Sequence, residues 1–193
     1  KDDKEEFINL LVHEIELSYG FSFEEQLQSD SLARIVNDSH FLRLQGYIDE
    51  NKDKIIYGGE YDREDKFISP TVIDAADQDS SVMCDEIFGP IIPITCYSSD
   101  QDLDLLLKDI KSPLSIYIFS NHKQFIKRIK STTSSGSICI NDVATQFINH
   151  NLPFGGVMSS GRGRYHGFSG FKEFSNMRSV THQSRINFLN FLK

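Results

Sequence analysis

Residues 91–140 read IIPITCYSSDQDLDLLLKDIKSPLSIYIFSNHKQFIKRIKSTTSSGSICI. Three apolar runs, Ile91 to Tyr97, Leu114 to Phe119 and Ile138 to Ile140, alternate with two stretches of helical period. In the first of these Asp100 caps a helix carrying Leu103, Leu106 and Leu107. In the second Asn121 caps one carrying Phe125, Ile126 and Ile129. Strands without polar alternation are buried on both faces, and strands joined by helices run parallel. The expectation is an α/β fold in three layers, a mostly parallel sheet covered by helices.

Towards the N-terminus, Phe7, Leu10, Leu11, Glu14, Ile15 and Ser18 share one helical stripe that stops at Gly20. After a loop, Asp38 or Ser39 caps a second helix through Phe41, Leu44 and Ile48. Ile55-Ile56-Tyr57 ahead of Gly58-Gly59, and Thr71-Val72-Ile73 beyond a charged linker, read as short strands. Towards the C-terminus, Gly155 to Gly170 is a glycine-rich loop and a short aromatic helix follows near Phe171 to Phe174. Ser179 to Gln183 reads as extended, and Ile186 to Leu192 as a small amphipathic helix. The helical pattern is already under way in the first residues, which points to a piece of something longer.

The 193 residues are 39% hydrophobic and 25% charged, enough apolar material for a buried core. A formal net charge of −8 argues against nucleic acid, since phosphate binding requires clustered Lys and Arg. The basic run Lys123 to Lys130 reads as a solvated helix face. Three scattered cysteines (Cys84, Cys96, Cys139) form neither a disulfide framework nor a zinc knuckle and suit a reducing compartment. The expected location is cytoplasmic, with peripheral membrane contact as the weaker option. The tail Phe188-Leu189-Phe191-Leu192 is short and is expected to pack on a partner or core.

Several short patterns fail on spacing. Asp100, Asp102 and Asp104 start like a calcium loop, but Leu105 holds the glycine position and Lys111 the final acidic one. The six histidines show no metal-ligand pairing, so no metal site is expected. Gly161, Gly163 and Gly167 do not match the dinucleotide fingerprint; glycines there are expected to permit tight turning and close backbone approach. Asn37-Asp38-Ser39 is a glycosylation triplet of a length that arises by chance. The most specific local pattern is Glu86-Ile87-Phe88-Gly89-Pro90, directly before the strand at Ile91. A carboxylate there can accept hydrogen bonds from sugar hydroxyls while the ring covers an apolar face. Taken alone, the plainer reading is an acidic turn leading into a strand.

Neighbouring motifs reverse that preference. Arg34-Ile35-Val36-Asn37-Asp38, His40-Phe41, Gly58-Gly59 and Ser69-Pro70-Thr71 precede the pentapeptide. Pro113-Leu114-Ser115, Tyr117, Phe119-Ser120, Thr133-Ser134-Ser135-Gly136, Asn141-Asp142 and Leu152-Pro153-Phe154-Gly155-Gly156-Val157 follow it. Ser160-Gly161, Gly163, Tyr165-His166-Gly167 and Phe174-Ser175 complete the series. In this order nearly the whole chain resembles the C-terminal half of the aldehyde dehydrogenase catalytic domain, most of all the class 3 branch that acts on fatty and aromatic aldehydes.

The resemblance implies that Glu86 hydrogen-bonds the nicotinamide ribose of NAD or NADP and that Phe88 touches the nicotinamide ring. It places Phe154, His166, Phe147 and Ile148 in the aldehyde pocket, with Asn141, Gly155 and Gly156 as structural neighbours of the site. Residues 1–176 would be part of the catalytic domain, and 177–193 an oligomerisation strand and tail. Arg178 to Ser184 matches a late strand that pairs with the neighbouring subunit of a homodimer. The other partners implied are the aldehyde and the N-terminal half that carries the cofactor domain.

The family's chemistry needs a thiolate to attack the aldehyde and a carboxylate to activate water. Its nucleophile sits in a Gly-Gln-x-Cys motif, which the 193 residues do not contain. Cys84 stands in an acidic turn that disfavours a thiolate, and Cys96 and Cys139 fall in runs read as apolar strands. No catalytic residue is therefore expected in this chain, which alone should be inactive. The alternative is a naturally truncated, non-catalytic interaction module derived from the same family.

Overall fold

The computed structural model describes residues 3–74, 79–110 and 112–182. The chain divides into two compact units, residues 1–102 and 103–193.

The first unit opens with α1 (Asp3–Tyr19), whose stripe buries Ile15 and which ends at Gly20. A short helix, α2 (Phe23–Gln28), then stands where the hydrophobic pattern suggests only loop. Ser22 caps it, its hydroxyl accepting from the Glu25 amide at 3.2 Å, while the Glu25 carboxylate accepts from the Phe21 amide at 2.7 Å. The Ser-x-x-Glu spacing is legible in the sequence, and the Glu25 carboxylate reaches back past the cap to the preceding amide. The next helix, α3 (Asp38–Glu50), begins one or two residues earlier than a cap at Asp38 or Ser39 would put it. Asn37 is its cap, accepting from the His40 amide at 2.9 Å, so the glycosylation triplet has a structural use.

The strand β1 (Ile55–Tyr57) is followed by a hairpin, β2 (Tyr61–Asp62) and β3 (Phe67–Ile68), within the expected charged linker. Next come β4 (Thr71–Asp74), the single turn α4 (Ser81–Cys84) and β5 (Ile91–Ile94). β1 pairs antiparallel with β4, and β4 pairs parallel with β5. β5 is three residues shorter than its apolar run. Pro93 lies in it, on an outer strand of the three-stranded sheet, where a residue without an N–H is tolerated. The core of this unit sets Phe41, Leu44, Tyr47 and Ile48 of α3 against Ile68, Ile73, Val82 and Ile91. Leu44, Val72 and Ile73 are fully buried.

α5 (Asp100–Asp109) leads into the second unit, with Ser99, not Asp100, accepting from the Asp102 amide at 3.1 Å. β6 (Ser115–Ile118) and β7 (Ser137–Ile140) pair in parallel, joined by α6 (Lys123–Thr132). His122 caps α6 through Nδ1, which accepts from the Phe125 amide at 3.2 Å, one residue on from the expected Asn121. Asp104 and Arg128 tie α5 to α6 at 2.5 Å. The single turn α7 (Thr145–Ile148) precedes the glycine-rich loop, and α8 (Gly167–Glu173) starts inside it, four residues ahead of the expected Phe171.

The α/β class and the parallel strand–helix–strand pairing agree with the expectation. The described strands fall in three small sheets rather than one continuous layer. Arg178 to His182 is exposed and forms no strand, so the extended segment expected there is not seen over these residues. The remainder of the segment expected to pair across subunits, and the expected amphipathic tail, lie outside the described residues. Among the described residues, no helix is long and apolar enough to cross a membrane.

Candidate functional site

Each unit carries one part of the predicted site. In the first unit, Glu86 to Pro90 bridges α4 and β5. Its end is fixed to the sheet by the Pro90 carbonyl, which accepts from the Thr71 amide at 2.8 Å. Its start is held by α3: Arg43 donates to the Ile87 carbonyl at 2.7 Å and to the Glu86 carbonyl at 3.3 Å. Ile87 turns inward and packs on the core. Phe88 adopts φ +48°, a left-handed conformation that is rare for a bulky side chain, and the residue is 76% exposed. Glu86 is exposed as well. A groove of about 370 Å³ runs beside the turn, lined by Leu32 to Val36, His40, Phe88, Gly89 and Pro90. An exposed carboxylate and an outward ring on a braced turn can receive a ligand that has both hydroxyls and a flat face. These residues thus fit the nicotinamide riboside end of a dinucleotide.

In the second unit, β7 runs into Asn141, again left-handed at φ +53°. Its side-chain carbonyl accepts from the Ser120 amide at 2.8 Å and its NH2 donates to the Ser120 carbonyl at 3.0 Å. Asn141 thereby extends the pairing of β6 and β7 by one side-chain rung, a structural task. Beyond it α7 leaves Phe147 and Ile148 on the surface, where plain core packing would have buried them. Phe154 bridges Tyr165 through two backbone hydrogen bonds of 3.0 and 2.9 Å. The bridge brings three of the predicted pocket residues together. The Phe154 ring lies 5.1 Å from Phe147, edge to face, and 6.1 Å from His166, stacked. Ile148 is the neighbour of Phe147 in α7 and is exposed.

Two members of the cluster were not predicted. Tyr165 and His150 stand edge-on to His166 at 4.3 and 4.7 Å. Tyr165 stood in the Tyr165-His166-Gly167 motif; His150 carried no signal, because only the turn after α7 brings it back. His166 has φ +78°, and its Nδ1 lies 3.2 Å from the Leu152 carbonyl. A carbonyl only accepts, so Nδ1 is the donor of that hydrogen bond.

Gly155 and Gly156 serve close approach, as expected. A Cβ on Gly155 would meet the Gly163 carbonyl, and one on Gly156 the carbonyl of Ser160. Neither glycine lies in the left-handed region. A larger groove of about 740 Å³ lies by α5, β6 and the end of α6, and no predicted site residue lines it. The cysteines separate by place: Cys139 is buried in β7 with its sulfur 3.2 Å from the Thr145 hydroxyl, while Cys84 is exposed at the end of α4. Cys96 corrects the expectation: it is exposed and follows β5, because the strand stops at Ile94. Among the described residues, no group of three or more His, Cys, Asp or Glu side chains could hold a metal ion.

Residues 2–180 match the Aldehyde dehydrogenase family, and the chain belongs to that family. Its relatives include family 3 members. It is 39% identical over 180 residues to the dimeric NADP-preferring aldehyde dehydrogenase of Rattus norvegicus, covering 93% of this chain and 39% of that protein. It is 38% identical over 186 residues to aldehyde dehydrogenase family 3 member H1 of Arabidopsis thaliana, covering 95% of this chain and 38% of that protein. The substrate-bound AldH of Staphylococcus aureus superposes with a TM-score of 0.87 at 32% identity, covering all of this chain and 44% of that one. The chain thus spans about two fifths of the length of the curated relatives it matches.

Proposed function

We propose that this chain is the C-terminal portion of an NAD(P)-dependent aldehyde dehydrogenase that oxidises medium- or long-chain aliphatic or aromatic aldehydes to carboxylic acids. The observation that carries the reading is the Glu86–Pro90 turn, where a braced, left-handed Phe88 turns its ring outward beside an exposed carboxylate. In this reading Glu86 binds the nicotinamide ribose and Phe88 orients the ring. The nicotinamide, when bound, supplies the hydride acceptor. A Mycobacterium tuberculosis aldehyde dehydrogenase complexed with NAD+, 25% identical and with a TM-score of 0.70, supports the choice of cofactor class. The rat relative's NADP preference keeps NADP beside NAD.

Phe147, Ile148, Phe154 and His166 form the chain's contribution to the aldehyde pocket. Aromatic faces and an aliphatic tip suit a hydrocarbon or aryl group better than a polar one. Asn141, Gly155 and Gly156 hold that wall in shape. Residues 1–176 belong to the catalytic domain and 177–193 supply the strand and tail of a homodimer, a reading supported by the word dimeric in the rat relative's name. Three scattered free cysteines suit a cytoplasmic location.

The test is made in the intact enzyme that carries this chain. Glu86→Gln removes the charge of a charge-assisted hydrogen bond, so KM for the nucleotide should rise by roughly 10-fold or more while KM for the aldehyde changes little. Unaltered nucleotide kinetics would refute the role of Glu86. The 193-residue chain by itself is predicted to oxidise no aldehyde, since it has no Gly-Gln-x-Cys nucleophile. Turnover abolished by replacing Cys84, Cys96 or Cys139 would sink that prediction.

A further inference from the structure

We propose that Arg43 is a positioning residue for the nucleotide: it latches the Glu86–Pro90 turn onto α3 and so sets the direction in which Glu86 and Phe88 leave the fold. The inference rests on the reading of those two residues as nucleotide-binding groups. Arg43 is half-buried on α3, and its guanidinium lies over the Tyr47 ring, 5.3 Å from the centroid. One terminal nitrogen donates to the Ile87 carbonyl at 2.7 Å. The other is shared between the Glu86 carbonyl at 3.3 Å and the Tyr47 hydroxyl at 3.0 Å. The fork therefore holds two consecutive peptide planes, those on either side of Ile87.

The next residue along α3 grips the far end of the turn. A Cβ on Gly89 would come within 2.6–2.7 Å of both Leu44 methyls, and Leu44 is fully buried. One helix thus fixes the turn on both sides of Phe88. A bulky residue stays at φ +48° only where its surroundings over-determine the conformation, and these two grips do so. Arg43 donates to the turn's backbone carbonyls, so it acts through the direction of the turn. Only a planar fork reaches both carbonyls; a lysine ammonium is a single point of donation.

The experiment compares Arg43→Gln and Arg43→Lys with the unsubstituted intact enzyme, reading steady-state kinetics, NADH or NADPH binding by fluorescence, and thermal melting. Misplacing the ribose carboxylate and the ring by about 1 Å should raise KM for the nucleotide roughly 10-fold in Arg43→Gln, with weaker binding of the reduced nucleotide. Aldehyde KM should stay near its starting value. Arg43→Lys should fall between the two, since it restores one donor. A lowered melting temperature with unchanged nucleotide KM and binding would overturn the proposal, leaving Arg43 a purely structural role. If Arg43→Gln does not fold, Arg43→Lys decides alone, and nucleotide kinetics equal to the unsubstituted enzyme's overturn it. An unsubstituted enzyme that neither oxidises aldehydes nor binds either nucleotide overturns the functional reading, and the latch with it.

Discussion

Phe41→Ala lowers the stability of the first unit by about 3–5 kcal/mol, the expected size for truncating a fully enclosed aromatic ring. Phe41 is 1% exposed and packs edge to face with Tyr61 at 6.0 Å. It belongs to the cluster that ties α3 to β3, β4, α4 and β5. Neighbours drawn from five elements cannot all move to fill the vacated space, so both the transfer and the cavity contributions are lost. The change should be read as a fall in the urea midpoint with a constant denaturant slope. A loss under about 1 kcal/mol would show that the unit is not organised around α3. Because α3 also carries Arg43 and Leu44, the turn at Phe88 should loosen together with the core.

Gly156→Ala is expected to dismantle the glycine loop of the second unit. The added methyl would meet the carbonyl group of Ser160 and come within 2.6 Å of the Gly161 amide nitrogen. Both obstacles are backbone, which cannot swing aside as a side chain can. Relief requires opening the turn at Met158–Ser160, where the Val157 amide donates to the Ser160 hydroxyl at 2.8 Å. The Arg164 contact with the Gly156 carbonyl goes with it. Overpacking of this kind costs about 1–3 kcal/mol, and the loop should become the first site of limited proteolysis. An unchanged digestion pattern would mean that the loop can accept the methyl, and that the close approach is not a constraint on the Phe154–His166 wall.

What the sequence disclosed and what it hid have physical causes. Apolar runs and helical periods located β1, β4, β5, β6 and β7 and the longer helices, because burial writes itself as hydrophobic period. The hairpin of Tyr61–Asp62 with Phe67–Ile68 escaped, since two-residue strands are too short to show alternation and Arg63, Glu64 and Asp65 between them read as linker. Helix starts slipped by a residue at Asn37 and His122, where several polar side chains in a row could each have served as the cap. The pentapeptide at Glu86 stands out as a local pattern and takes its expected role from resemblance, but nothing in its letters announces that Arg43, more than forty positions away, holds it. The aromatic wall was legible at Phe154 and His166 through motif. His150 joined it only through the fold, and a lone histidine among asparagines offers no pattern to read.

The left-handed backbone shared by Phe88, Asn141 and His166 has a consequence for anyone seeking a hardier version of this protein. At Phe88 and His166 glycine would relax the main chain, so a selection for heat resistance alone should reach them early. At Asn141 it would also remove the two hydrogen bonds to Ser120. The side chains lost in the exchange are the ones that project from the turn, close the rung between β6 and β7, and line the aromatic wall. Durability won there would remove the outward-facing Phe88 and part of the aromatic wall, a loss that a screen measuring melting alone would not register.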